Sequence, residues 1–210
     1  MDEMEQAKHD AAERAAALVE DGMRLGLGTG STVALLLPAL ARRGLTSLRC
    51  VATSSATERL ASELGLRLET LDELGGLDLA IDGADQVAAD GWLVKGGGGA
   101  HTREKIVAAA AARFVVMVSP DKMVARLAPP VPLELLAFGA GATLAALAPA
   151  ALRPDTAPSP DGNLIADFRG PVDDPAALAA RLDATPGIVE HGLFAPEMVS
   201  EVVVGVGSPG

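Results

Sequence analysis

The chain reads as an α/β protein in which an open, mostly parallel, doubly wound sheet is joined by a second, smaller α+β lid domain. Three observations predict this. Runs of strand length such as LRCVAT and FVVMVS are nearly continuous in apolar residues, as strands covered on both faces require. These runs alternate with segments of helical periodicity through the first half of the chain, the pattern of a sheet wrapped by helices. The composition then shifts near residue 128, where APPVPLELL brings three prolines, and again in the proline-punctuated loop RPDTAPSPDGN. The domains are therefore expected at 1–127, with the tail 199–210 returning to the first sheet, and at 128–198.

In order along the chain, Ala11, Ala15, Leu18 and Val19 share one face of a helix over residues 4–21 that stops before Gly22. A strand over 23–27 runs into the glycine turn GLGTGST, and Ser31 or Thr32 is placed to cap a helix that Pro38 should kink or end. LRCVAT, LRLETL, LDLAID and WLVK read as strands, with TERLASEL as a helix among them. TREKIVAAAAAR reads as a helix and residues 114–119, FVVMVS, as the most apolar strand. The second domain shows a helix near 138–148, the strand NLIADF, the helix PAALAARLDAT and the turn PGIVEHGLF leading to a strand. The Rossmann-like arrangement collects its ligand at the carboxyl ends of the strands, and GTGST, ATSS, DGAD, KGGGG and SPDK all follow predicted strands.

Composition narrows the function. Of 210 residues, 49% are apolar, enough for a sizeable core, and the net charge of −11 with one Trp and no Tyr argues against nucleic acid and anionic membrane as partners. The opening MDEMEQAKHD is acidic and lacks an apolar segment, and no apolar run reaches about 18 residues, so a cytoplasmic protein is expected. The single cysteine, Cys50, cannot form an internal disulfide and sits in an apparent strand interior. Only four lysines accompany thirteen arginines, yet Lys95, Lys105 and Lys122 cluster around the glycine run, where a compact ammonium suits a small anion.

The richest segment is KGGGGAHTREK, Lys95 to Lys105. Consecutive glycines let several N–H groups converge on one concavity, and the helix that follows adds about half a positive charge at its start. Lys95 precedes this anion cradle and Glu104 lies in the first turn of the helix after it. DGAD sets Asp82 and Asp85 three residues apart, so a tight turn brings two like charges together. A shared proton, a metal or a nearby lysine would relieve that repulsion, and Lys95 is the best counter-ion because no further magnesium ligands are evident. In GTGST, Ser31 takes the third-glycine position of a dinucleotide fingerprint, and Ala52, Thr53 and Ser54 stand where a ribose-binding acid belongs. A turn with Thr29, Ser31 and Thr32 hydroxyls suits a phosphate monoester or sugar hydroxyls instead. His9, His101 and His191 are isolated and read as surface or core residues.

Taken together, GTGST, DGAD, KGGG, TREK and SPDK, in this order and spacing, resemble ribose-5-phosphate isomerase of type A, with further similarity in DGNLIADF, TPGIVEHGLF and the tail. The resemblance implies interconversion of D-ribose 5-phosphate and D-ribulose 5-phosphate through an enediolate, in the non-oxidative pentose phosphate pathway, without cofactor or metal, by a homodimer or homotetramer. It implies that Glu104 is the base and that Asp82 or Asp85 handles a hydroxyl proton on ring opening. Substrate would be lined by Thr29, Gly30, Ser31, Thr32, by Asp82, Gly83, Ala84, Asp85 and by Lys95, Gly96, Gly97, Gly98. Lys95 and the loop N–H groups would stabilise the oxyanion, and Lys122 and Lys8 would assist at the phosphate. Gln86 and Gly99 depart from the family, which commonly has an acid and an alanine there, and residues 128–158 follow its pattern poorly. A CoA transferase or sugar-phosphate deaminase on the same scaffold, or a non-catalytic sugar-phosphate sensor, are the rival classes.

Overall fold

The computed structural model describes residues 2–207. The chain opens with α1 (Glu3–Ala17), β1 (Arg24–Leu27), α2 (Ser31–Arg42), β2 (Arg49–Ala52), α3 (Ser55–Glu63), α4 (Leu71–Leu74) and β3 (Leu79–Asp82). It continues through β4 (Gln86–Ala88), β5 (Leu93–Val94), α5 (His101–Ala109), β6 (Phe114–Val118), β7 (Met123–Val124), β8 (Val131–Leu135), α6 (Ala140–Ala146) and β9 (Ala150–Leu152). Last come β10 (Leu164–Phe168), α7 (Pro175–Asp183), β11 (Ile188–His191), β12 (Leu193–Phe194) and β13 (Glu201–Val204). Two compact units result: residues 1–84, 103–123 and 197–210 form one, and residues 85–102 and 124–196 the other. The glycine-rich segment up to Thr102 thus belongs to the second unit, whereas the boundary drawn from composition has it in the first.

The first unit is built on a five-stranded sheet in the order β13-β6-β3-β1-β2, parallel throughout. Alternation along each strand sends Leu25, Leu27, Leu79, Ile81, Val115 and Met117 into one core with α1 and α2, and each fully buried Leu or Ile there is worth about 1.5–3 kcal/mol. Gly26 points to the other face, where a Cβ would come within 2.4 Å of the Val107 side chain, so α5 packs on that side across a position only glycine permits. Helices therefore cover both faces, and the tail returns beside β6 as expected.

Local signals start the helices. Asp2 caps α1 by accepting from the Glu5 N–H, and Thr70 and Glu73 form a reciprocal capping box on α4. Two expectations fail here. The cap of α2 is Gly30, with φ 119° and no side-chain hydrogen bond, so Ser31 is already helical; and α2 runs through Pro38 to Arg42. Leu36, Leu37, Ala39 and Leu40 are buried on either side of the proline, and that packing outweighs the lost hydrogen bond. LRLETL is also not a strand: it contributes one bridge, Leu68 beside Cys50.

The second unit centres on an antiparallel sheet in the order β11-β8-β10-β9. One face carries Val131, Leu133, Leu135, Ala166 and Phe168 against Leu178 and Leu182 of α7 and Leu147 after α6. The other carries Glu134 opposite Ile165 and Pro132 opposite Asp167. Local pattern does not mark β8 as a central strand, because Pro132 lacks the N–H a ladder needs and prolines flank the run; its carbonyl still accepts from Gly192 N–H at 2.8 Å. WLVK does not join the parallel sheet either. β5 lies between β4 and β12 in antiparallel pairing, so KGGGG follows an antiparallel strand. Among the described residues no helix is long and apolar enough to cross a membrane.

Two predictions follow from the first unit. Cys50 is fully buried in β2, and burial pushes its thiol from 9.0 up to about 12. The folded protein should thus show roughly a thousandfold less thiolate at pH 8 than the denatured chain, and alkylation followed by mass spectrometry should label it only on unfolding. Asp78 receives the Arg24 side chain at 2.7 and 3.2 Å and the Arg24 N–H at 2.8 Å. These bonds hold its carboxyl at about 2 against an ordinary 3.8. A depressed carboxyl stabilises the fold above its unfolded value and loses that contribution as pH falls toward the folded one. The stability advantage of the native chain over Asp78→Asn should be constant above about pH 5 and shrink between about pH 4 and 2 in urea titrations.

Candidate active site

In the first unit, chain order reverses direction between β2 and β3 on either side of β1, which makes the carboxyl ends of β1 and β3 the switch point of the sheet. Two sequence-predicted segments meet there. Asp82 ends β3, is 3% exposed, and its Oδ1 accepts from Thr29 N–H at 3.0 Å and Gly83 N–H at 2.7 Å. Gly28 is what admits this carboxylate: a Cβ there would stand 1.9 Å from the Asp82 carboxyl carbon. The Thr29 hydroxyl meets that of Thr53 at 2.8 Å, and Thr57 donates to the Gly28 carbonyl at 2.7 Å, so the turn after β1 is fixed from both sides. Gly30 and Ser31 are exposed at the start of α2, whose first N–H groups receive no side-chain cap.

Glu104 lies in the first turn of α5, as expected, and is 5% exposed. Lys122 ends a short 3₁₀ turn, with its ammonium 3.3 Å from Asp121. Lys8 pairs with Glu5 at 2.7 Å, and that hydrogen bond, helped by the charges of Glu5 and Asp121, holds its ammonium above the ordinary range. The influence of Asp121 brings Lys8 and the turn bearing Lys122 into one neighbourhood of this unit.

In the second unit, Lys95 is 2% exposed, its N–H donates to Gly192, and its ammonium stands 5.4 Å from the centre of the Phe194 ring. Three of the four glycines after it are glycine for separate reasons. Gly96 has φ 103° and would meet the buried His101 ring at 2.6 Å if it bore a Cβ; Gly97 would meet Asp85 at 2.8 Å. Gly99 has φ 73°, a left-handed backbone that favours glycine. Asp85 accepts from Gly97 N–H at 2.7 Å, so the acid and the glycine loop are joined as the sequence suggested. Gly97 and Gly98 are exposed. Gln86 donates to and accepts from the Ala128 backbone, both at 2.8 Å, which an acid in its place could not do.

Sequence reasoning missed the groups beneath this loop. Arg153 donates to the carbonyls of Gly96 at 3.3 Å and Gly97 at 2.9 Å, while its other nitrogens fork onto Asp167 at 3.1 and 2.6 Å. Glu134, fully buried, accepts from Ser159 at 2.6 Å, Asn163 at 2.8 Å and the Thr102 hydroxyl at the start of α5. The available signal was a lone acid in the apolar run VPLEL and another in LIADF, since a charge inside a buried strand demands partners.

One further cluster, Asp183, Glu190 and His191, has the spacing of a metal site. The Leu193 N–H donates to Nδ1 of His191 at 3.2 Å, which puts the ring proton on Nε2, 3.1 Å from Asp183. That nitrogen is a donor to the carboxylate, so the cluster is a hydrogen-bonded pair closing β11 onto α7.

The family model for ribose 5-phosphate isomerase A (phosphoriboisomerase A) matches residues 49–208. A ribose-5-phosphate isomerase A from Roseiflexus sp. (strain RS-1) is 50% identical over 199 residues, covering 88% of this chain and 85% of that protein. The crystal structure of ribose 5 phosphate isomerase A from Neisseria gonorrhoeae superposes with a TM-score of 0.92 at 32% identity, over 97% of this chain and 93% of its own. A D-ribose-5-phosphate isomerase solved in complex with phospho-erythronic acid gives 0.89 at 34% identity, over 97% and 96%. With DGAD, KGGG, TREK and SPDK all inside the matched span, the chain belongs to the ribose 5-phosphate isomerase A family.

Proposed function

We propose that this chain interconverts D-ribose 5-phosphate and D-ribulose 5-phosphate, and that Glu104 is its base. The observation that carries the assignment is a carboxylate only 5% exposed in the first turn of the helix that follows the glycine loop. The reaction moves one proton between C2 and C1 through an enediolate, so it needs a base and a partner for the oxyanion. No electrons leave the substrate, and no redox group enters the balance.

Glu104 takes the proton from C2 and returns it to C1. Lys95 and the Gly98 N–H stabilise the developing oxyanion, a kind of contribution worth about 10² to 10³ in rate, while the Gly97 N–H is taken by Asp85. One of Asp82 and Asp85 handles the hydroxyl proton as the furanose opens. The start of α2, with Thr29, Gly30, Ser31 and Thr32, offers uncapped N–H groups and hydroxyls to the phosphate, and Lys122 and Lys8 add positive charge. Gly83, Ala84 and Gly96 line the sugar through their backbones. The enzyme works in the cytoplasm as a homodimer or homotetramer, in keeping with apolar side chains left exposed in the second unit, Phe138 at 95% and Leu136 at 49%.

Glu104→Gln should lower kcat by about 10² to 10⁴ with substrate binding nearly intact, measured by a coupled assay of ketose formation and by titration calorimetry. Turnover close to normal in that variant would remove Glu104 from the mechanism. In D2O, product formed by the native protein should carry solvent deuterium at the migrating position, read by NMR; full retention of the original hydrogen would point to a hydride shift.

A further inference from the structure

We infer that Arg153, clamped by Asp167, is the positioning residue that orients the Gly97–Gly98 peptide of the glycine loop toward the oxyanion. The inference rests on the isomerase reading and extends it to a residue outside every motif that identifies the family.

In a planar trans peptide the carbonyl and the N–H point in opposite directions. The Gly96 carbonyl shares its plane with Gly97 N–H, and the Gly97 carbonyl shares its plane with Gly98 N–H. Arg153 holds both carbonyls on one side, at 3.3 and 2.9 Å, so both N–H groups are turned to the other. Gly97 N–H meets Asp85 on that far side at 2.7 Å, which gives the direction of the first plane and makes the exposed Gly98 the loop's donor toward substrate. A third bond, Gly99 N–H to the Gly96 carbonyl at 3.0 Å, closes the turn.

Glycine residues alone would not hold this arrangement, because each has access to both signs of φ and the loop would exchange among peptide orientations. A guanidinium suits the task where an ammonium does not. Its planar fork satisfies the Asp167 carboxylate through Nε and one terminal nitrogen while the remaining nitrogen spans two carbonyls. The pair is well enclosed, with side-chain exposures of 18% for Arg153 and 9% for Asp167. Positive charge behind the carbonyls also polarises the Gly97–Gly98 peptide, making its N–H a stronger donor where an enediolate would form.

The test compares the native protein with Arg153→Lys, which keeps the charge beside Asp167 but cannot reach both carbonyls as well, and with Asp167→Asn, which loosens the clamp. In Arg153→Lys, kcat should fall about 10² to 10³-fold with KM changed less than about threefold. Phospho-erythronic acid, a planar carboxylate on a phosphorylated chain, should lose affinity in step with kcat. Amide exchange at Gly97 and Gly98 should quicken at least about tenfold, and Asp167→Asn should move each readout the same way by less. A role confined to stability would lower the unfolding midpoint and leave kcat, inhibitor affinity and loop exchange at native values; that result in a folded Arg153→Lys overturns the inference. Native protein that fails to convert ribose 5-phosphate overturns the isomerase reading as well, whereas native activity with an unaffected Arg153→Lys removes the positioning role alone.

Discussion

Asp82 accepts two backbone N–H groups at the end of β3, and the space it fills is the space a side chain at Gly28 would need. The rest of the first unit is arranged around that exchange. Because the carboxylate is tied to Thr29, the turn after β1 cannot drift away from the end of β3, and the start of α2 is delivered to the switch point of the sheet with its N–H groups outward. Thr53 and Thr57 close the turn from the other side through a hydroxyl pair and a bond to the Gly28 carbonyl. A buried carboxylate is costly unless its oxygens are satisfied, so the turn and the acid stabilise one another.

The second unit meets a similar demand by different means. Its antiparallel sheet has one apolar face, covered by α7 and the end of α6, and one face that carries Glu134 and Asp167. On a sheet of this kind a polar inner face is expensive, and here it is spent on holding chain that has no regular structure. Asp167 holds Arg153 and through it two carbonyls of the glycine loop, while Glu134 gathers the loop bearing Ser159 and Asn163 together with Thr102 at the start of α5. The proline-rich stretch is therefore anchored by the same carboxylates that hold the glycine loop and the start of α5.

The glycines show why a motif and its mechanism can be separated. A run of four reads as freedom, yet Gly96 is required by its backbone and by the His101 ring, Gly97 by the nearness of Asp85, and Gly99 by its left-handed conformation. Three of the four positions are thus constrained, each in a different way.

What this sequence determined by itself were the features encoded within short reach along the chain: the parallel αβ alternation, the helix that bears Glu104 in its first turn, the buried thiol of Cys50, and the motifs that identify the family. These are readable because periodicity, capping and glycine placement act over a few residues. Tertiary structure alone decided that LRLETL supplies a single bridge, that WLVK pairs antiparallel, that VPLEL is a central strand despite Pro132, and that α2 passes through Pro38. It alone brought Arg153 to Gly97 across 56 residues and Asn163 to Glu134 across 29. Strand partners and buried ion pairs join residues far apart in sequence, and their energy depends on what is desolvated around them, which no local pattern records.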